Sequence, residues 1–542
     1  MGKRKSAQQT KTQYDKLVRV VQDFRKQSQP AVHGGVPDYS VSAMKSQKAL
    51  ISPLEKRYQA INTTDWPLAR QVDYVWVGAQ IRGWQFEHDV LAPWKKDPAF
   101  YVPIDFQFGP KMHQSVPHHL LQAKHFSAST DSTQRDYLAQ KVCAFGEILT
   151  QAKDNLSSRS ACPKSDQTML AARNAPRQLA MMDAFIESLA GAGNPFVDQA
   201  KSARKAIRDF GRWAKQKQTD PNFNHPSGIG VKHYNRYLKE VQLVPYTWEQ
   251  IESLALREYN RAATTIKLLQ HRHTHMGIPE FDIAQDSHAM YLKWKDTEKR
   301  RWSFINKFKM LTPEACMKPK TIKAPKQAEP FEGPTDYFSH LLRRNPLPLT
   351  LHEAIGHGPD ELRDAADKRP IRGGGSAWFI DSFRAEGLAT GIEELFMLAG
   401  MLEHDPRSKE LTYNQLSHRA ARTLSDLKMH SNEMTLKQAF KYNVDKTHEG
   451  WLQPNSSIMW HDIELYLRQP TYGCSYTVGA VQLQQLLSEY SEKMGSRFEV
   501  QTFMDRFLSL GMIPITLARW EMTGNADEIR KLLPDHPVIT PH

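Results

Sequence analysis

The chain has 542 residues, 40% of them hydrophobic and 24% charged, the balance of a soluble globular protein with a sizeable core. Its four scattered cysteines, Cys143, Cys162, Cys316 and Cys474, exclude a disulfide framework and a zinc ribbon and fit a reducing cytoplasm, where each reads as a small buried hydrophobe. No apolar run approaches the roughly 18 residues of a membrane span. The net charge of +13 is spread beside acidic residues, with one local excess in the basic head, and the aromatics are not interleaved with it as in a nucleic-acid platform.

Residues 1–55 read as a basic N-terminal tail and connector. Lys3, Arg4, Lys5, Lys11, Lys16 and Arg19 suggest a solvated, partly disordered arm leading into the helical segment YDKLVRVVQDFRKQ. Residues 31–55 carry Gly, Pro and Ser and read as a connector. One large helical domain is expected over 56–542. Its first half, 56–312, is dominated by the 3.6-residue period, as in WPLARQVDYVWVGAQIRGWQFEHDVL and RDYLAQKVCAFGEILTQA. Thr247 and Gln250 form a capping box ahead of a long amphipathic helix. Residues 313–348 (KPKTIKAPKQAEPFEGP within) are rich in Pro and Lys and read as a loop or cover, long enough to suggest function. Helical periods return over 349–542, and the fold class is all-α with at most a minor strand element.

The sharpest chemical signal is His352-Glu353-Ala354-Ile355-Gly356-His357. The common zinc motif HExxH sets its histidines one turn apart; here one more residue intervenes. On an α-helix, positions i and i+5 point about 140° apart. A local π turn, at about 4.4 residues per turn, would bring them to one side. A catalytic zinc takes three protein ligands and leaves one place open. The segment Arg384-Ala385-Glu386-Gly387-Leu388-Ala389 supplies the acid, so one Zn²⁺ per chain is expected on His352, His357 and Glu386. Glu393, seven residues on, shares that helix face and is expected to support a histidine. Gly387 and Gly391 would let another helix approach closely. Glu353 is the expected general base, moving a proton from a metal-activated water to the leaving group.

These residues resemble a bacterial zinc-peptidase-like family, formerly of unknown function, that carries HEAxPGHH and then EGWALYxEEL. This chain has HEAIGHG and EGLATGIEEL, and Arg422-Asp426-His430, Ser475-Tyr476-Thr477-Val478-Gly479 and Gly511-Met512-Ile513-Pro514 are similar to that family's later segments. The shorter HExxxH spacing instead resembles dipeptidyl peptidase III and the tubulin tyrosine carboxypeptidases. The resemblance spans about residues 60–530. It implies a zincin-like domain with a deep cleft and a metallopeptidase acting on small peptides or chain termini. It makes His430 an expected oxyanion or substrate donor. By periodicity alone, Arg422, Asp426 and His430 form an i,i+4 ladder. Tyr476 is a second candidate donor to an oxyanion. Arg422, Asp426, Arg468 and Tyr472 are candidate substrate contacts, the arginines as carboxylate clamps.

Two other readings stay open. One is a zinc enzyme acting on a non-peptide small molecule with the same ligands. The other is a basic, non-enzymatic binding module. Oligomeric state is open, a homodimer included.

Overall fold

The computed structural model describes residues 2–33, 36–102, 145–191, 194–331, 336–373 and 382–534. It is 74% helical. Among the described residues its strands are a two-stranded antiparallel ribbon, Val32–His33 against Val36–Pro37. The chain is all-α, as its periodicity implies. No described helix is long and apolar enough to cross a membrane.

The first helix, α1 (Gly2–Gln27), places Leu17, Val20, Val21 and Phe24 on one face, each at most 2% exposed. This i, i+3, i+4, i+7 spacing is the stripe that a helix buries. It packs on α2 (Leu68–Phe86), where the Tyr14 hydroxyl donates to Asp73 at 2.7 Å. From Tyr14 onward the head is therefore part of the core, not a solvated arm. The expected connector at 31–55 also holds helices, Val41–Ala49 and the start of Ile51–Gln59. Nine-residue helices show too few turns for the period to stand out in sequence.

A helical hairpin, α3 (Ser165–Gly191) and α4 (Val197–Lys217), builds a second core with Leu170, Phe185, Ile207 and Phe210. Helix α5 (Trp248–His275) starts with the Thr247–Gln250 capping box. It runs antiparallel to a later helix, since Trp248 Nε1 donates to the Leu427 carbonyl at 3.1 Å while His273 meets Glu410 at 2.5 Å. Helix α6 (Ser287–Phe308) follows. The 313–348 stretch is irregular at first, but Asp336 then caps a helix over Tyr337–Arg344, accepting from the Ser339 N–H at 2.8 Å.

The centre is built from α7 (Leu347–Leu351), α8 (Gly358–Ala366), α9 (Ser382–Phe396), α10 (Ser408–His430), α11 (Ser457–Arg468) and α12 (Tyr472–Met494). Helices α9 and α12 touch backbone to backbone. A Cβ on Gly387 would lie 2.5 Å from Gly479 Cα, and one on Gly391 would lie 2.9 Å from Leu483. The close approach anticipated for Gly387 and Gly391 is thus what fixes α9 at the middle of the molecule. Cys474 is buried, Cys316 is half-buried and Cys162 is exposed, so the buried-hydrophobe reading suits Cys474 alone. Cys143 lies outside the described residues.

Candidate metal centre

Helix α7 runs without a break into a π-helix over His352–His357 and then into α8. The wider turn is closed by the Gly358 N–H donating to the Glu353 carbonyl. Leu351 and Ile355 are fully buried on its inner face. At about 1.5–3 kcal/mol for each buried aliphatic side chain, they offset the poorer geometry of the π turn. Gly356 is pressed on α9, where a Cβ would lie 2.5 Å from both Ala389 Cα and Cβ. Contact with the EGLA helix thus holds the turn.

This winding brings the two imidazoles together. His352 Nε2 and His357 Nε2 are 3.2 Å apart. Glu386 Oε2 lies 3.4 Å from the first and 3.5 Å from the second. Tetrahedral zinc with bonds of about 2.0–2.1 Å requires ligand atoms about 3.3–3.4 Å apart. The three atoms form one face of such a tetrahedron. Glu386 Oε2 is also buried without a hydrogen-bond partner of its own, so a polar atom faces the two ring nitrogens with nothing else to satisfy it. The residues therefore fit a zinc ion.

Electrostatics agree. Burial would lift the Glu386 carboxyl, but the imidazoles of His352 and His357 outweigh it and hold the group well below the usual carboxylate range. Burial lowers His357, yet Glu386 outweighs it and raises the imidazole to about 9. An ionised carboxylate thus faces the two ring nitrogens.

Each ligand is held from behind. Glu393 Oε1 accepts from His352 Nδ1 at 2.9 Å, which turns Nε2 toward the cluster. Glu393 is fully buried. Burial raises its pKa, and Arg419 opposes this and leaves the group ionised. Arg419 donates to both Glu393 oxygens at 2.7 Å, and Gln415 adds a bond at 2.5 Å. The Tyr472 hydroxyl donates to Glu386 Oε1 at 2.8 Å. Behind His357, Asp360 and Arg384 form a buried bidentate pair at 2.7 and 3.0 Å, tying α8 to α9.

The expected residues fall into two groups. His352, His357 and Glu386 converge, Glu393 supports His352, and Glu353 sits beside them with an exposed side chain. Tyr472 also belongs here, but it holds the carboxylate of Glu386. Tyr476 is half-buried, edge-on to Tyr472 with centroids 6.0 Å apart. The Arg422 guanidinium lies 4.5 Å over its ring. Arg422 pairs with Asp462 at 2.6 Å, so it supports Tyr476 and carries its charge already matched.

His430, Asp426 and Arg468 are not brought to the cluster. His430 stands eleven residues beyond Arg419 on α10, about 16 Å further along at 1.5 Å per residue. It is fully buried, its Nε2 donates to the Tyr466 carbonyl at 3.1 Å, and burial lowers it to about 3. Asp426 is likewise fully buried and accepts from the Cys474 N–H at 3.2 Å. It lies 3.5 Å from His430, but with that imidazole neutral and the Asp426 carboxyl lifted by burial the contact is not an ion pair, and Arg422 turns to Asp462. Arg468 is committed to Asp97 at 2.7 Å and Glu464 at 3.7 Å.

Arg419 and Gln415 were not singled out in the sequence. Their signal is indirect: a buried acid such as Glu393 needs a cation, and the α10 residues facing it are the place to look.

An all-helical domain with a His-His-Glu site on a π turn and its neighbouring helix is the class that fold and site define. The model of a bacterial protein family of unknown function (DUF885) matches residues 371–522. That span holds Glu386, Glu393, Arg419 and Tyr472 but begins after the two histidines. The fold is similar to that of a candidate lipoprotein of unknown function from Shewanella oneidensis, at 16% identity and a TM-score of 0.68, over 95% of this chain and 99% of that one. It is also similar to a candidate lipoprotein from Colwellia psychrerythraea, at 15% identity and a TM-score of 0.67, with the same coverage. No curated protein matches the chain.

Proposed function

We propose that this protein is a zinc-dependent hydrolase, a metallopeptidase acting on small peptides or chain termini. The observation that carries the reading is the triangle of ligand atoms at 3.2–3.5 Å, with a carboxylate, Glu353, following the first ligand on the same turn. Zinc bound there would acidify a water and polarise a carbonyl. Glu353 would accept the water's proton and pass it to the leaving nitrogen. Its exposed position leaves it free to reach a substrate. Tyr476 would donate its hydroxyl proton in a hydrogen bond to the developing oxyanion. Burial and the nearby Glu386 raise its pKa, which keeps that proton in place. Glu393, with Arg419, would hold His352 as a neutral donor through Nε2. A cytoplasmic setting and a deep cleft belong to the same proposal.

The test has two stages. Elemental analysis should find about one zinc per chain in the wild type and in Glu353→Gln, and little in His352→Ala or Glu386→Ala. A panel of short peptides with free and blocked ends should then be cut by wild type and not by Glu353→Gln. Zinc retained without cleavage of any peptide would favour the non-peptide zinc enzyme. Absence of zinc from the wild type would remove both readings.

A further inference from the structure

Away from the metal cluster, a groove of about 920 Å³ opens between α6 and the segment that follows it. Its apolar lining comes from Tyr291 and Trp302 on the helix and Ile322 on the segment. Lys295, Lys299, Lys307 and Lys320 also line it, all exposed. None of the four has a carboxylate partner among the described residues. They belong to a local charge excess that the even spread of charge conceals: residues 291–326 hold eleven lysines and arginines against three acids.

The groove is built. Glu298 and Arg301 form a buried bidentate pair at 2.7 and 2.8 Å. Glu298 Oε2, already accepting from Arg301, also accepts the Lys320 N–H at 2.9 Å, pinning the segment to α6. Further along, the Phe331 N–H donates to the Gln285 carbonyl and the Ser287 N–H to the Glu329 carbonyl. The segment is thus a strap tied at both ends. Between the ties, the N–H groups of Thr321, Ile322 and Lys323 make no hydrogen bond among the described residues. Such groups, beside apolar pockets and unmatched positive charge, are what an added peptide backbone pairs with.

We infer that this groove binds a peptide segment bearing alternating acidic and apolar residues. The lysines meet its carboxylates, Trp302 and Ile322 meet its apolar side chains, and the strap meets its backbone. A membrane surface or a nucleic acid would use the lysines but would leave the strap's N–H groups unmatched. The strap begins at Ala315–Met317, a turn packed on the metal-bearing helix, where Arg363 donates to Glu314 at 2.6 Å. The start of the strap thus packs on the helix that follows the π turn, while the groove itself lies apart from the metal cluster. The inference does not depend on hydrolysis.

The probe is a fluorescein-labelled Glu-Leu-Glu-Phe-Glu-Leu peptide, blocked at both ends, titrated with the full chain by fluorescence anisotropy. EDTA keeps zinc and cleavage out of the measurement. Saturable binding is expected, weakening as salt rises. Lys299→Glu combined with Lys307→Glu should weaken it at least tenfold. The same charge change on α4, Lys205→Glu with Lys215→Glu, should leave it within twofold. Trp302→Ala should also weaken it, with melting temperature monitored to confirm the fold. Equal loss in both charge-reversed pairs would overturn the inference, as would binding to anionic vesicles or single-stranded DNA with no binding to the peptide.

Discussion

His352 Nε2 lies 3.2 Å from His357 Nε2 although the residues are five apart, because the backbone between them is wound as a π turn. The turn is held in that form by α9, against which Gly356 has no room for a side chain. Replacing Gly356 by Ala should force α7 and α9 apart and move both imidazoles. Overpacking of this kind costs about 1–3 kcal/mol. A lower melting temperature together with weaker zinc binding is expected, read by calorimetry and by chelator competition.

Glu393 and Arg419 should govern metal affinity without touching the metal. Outer partners of a ligating histidine contribute about 10–100-fold to affinity. Glu393→Gln should weaken zinc binding by that order, and Arg419→Lys by less than Arg419→Met. Tyr472→Phe leaves Glu386 Oε1 without its donor and should show a smaller loss with the fold intact. If Glu393→Gln binds zinc as wild type does, Glu393 has no part in orienting His352.

Zinc should stabilise the fold in proportion to its affinity. A ligand that binds the native state at 100 times its Kd adds about 2.7 kcal/mol. The melting temperature should rise on zinc addition and fall with EDTA. In Glu386→Ala both shifts should vanish.

Arg468 separates a substrate clamp from a structural ion pair. Removing one partner of a buried pair costs about 3–5 kcal/mol because the other charge stays buried. Arg468→Ala should leave Asp97 and Glu464 uncompensated and lower the melting temperature steeply. A clamp would instead raise KM with stability unchanged.

The buried Asp426 should write a pH dependence into stability. Burial, its largest influence, lifts its pKa to about 8 against hydrogen bonds from Cys474 and Gly473. In the unfolded chain it titrates near about 3.9. Between these values the native state holds a proton that the unfolded state does not, so stability falls as pH rises toward 8. Asp426→Asn removes this slope. Its melting temperature relative to wild type should increase from pH 6.5 to pH 8, a window above the range in which the neutral His430 contributes a slope of opposite sign.

The sequence by itself determined the helical class, the capping box at Thr247, and the pairing of a widened histidine spacing with an EGLA helix. These are local: a period, a cap and a spacing each act within a turn or two of chain. That Glu393 shares a face with Glu386 is helix arithmetic of the same kind. Only the tertiary structure decided which of the outlying residues reach the cluster. Arg422, Asp426 and His430 are one repeating face on paper. In three dimensions α10 is buried on all sides, so each meets a different neighbour: Arg422 meets Asp462, Asp426 meets Cys474 and His430 meets Tyr466. Arg419 gained its place because α9 presents Glu393 to it across 26 residues of chain. The basic head likewise proved to carry a core stripe, since apolar residues at helical spacing are buried wherever a matching face exists, whatever charges surround them. Spacing along a helix fixes which side chains share a face; the packing of other helices fixes what that face meets.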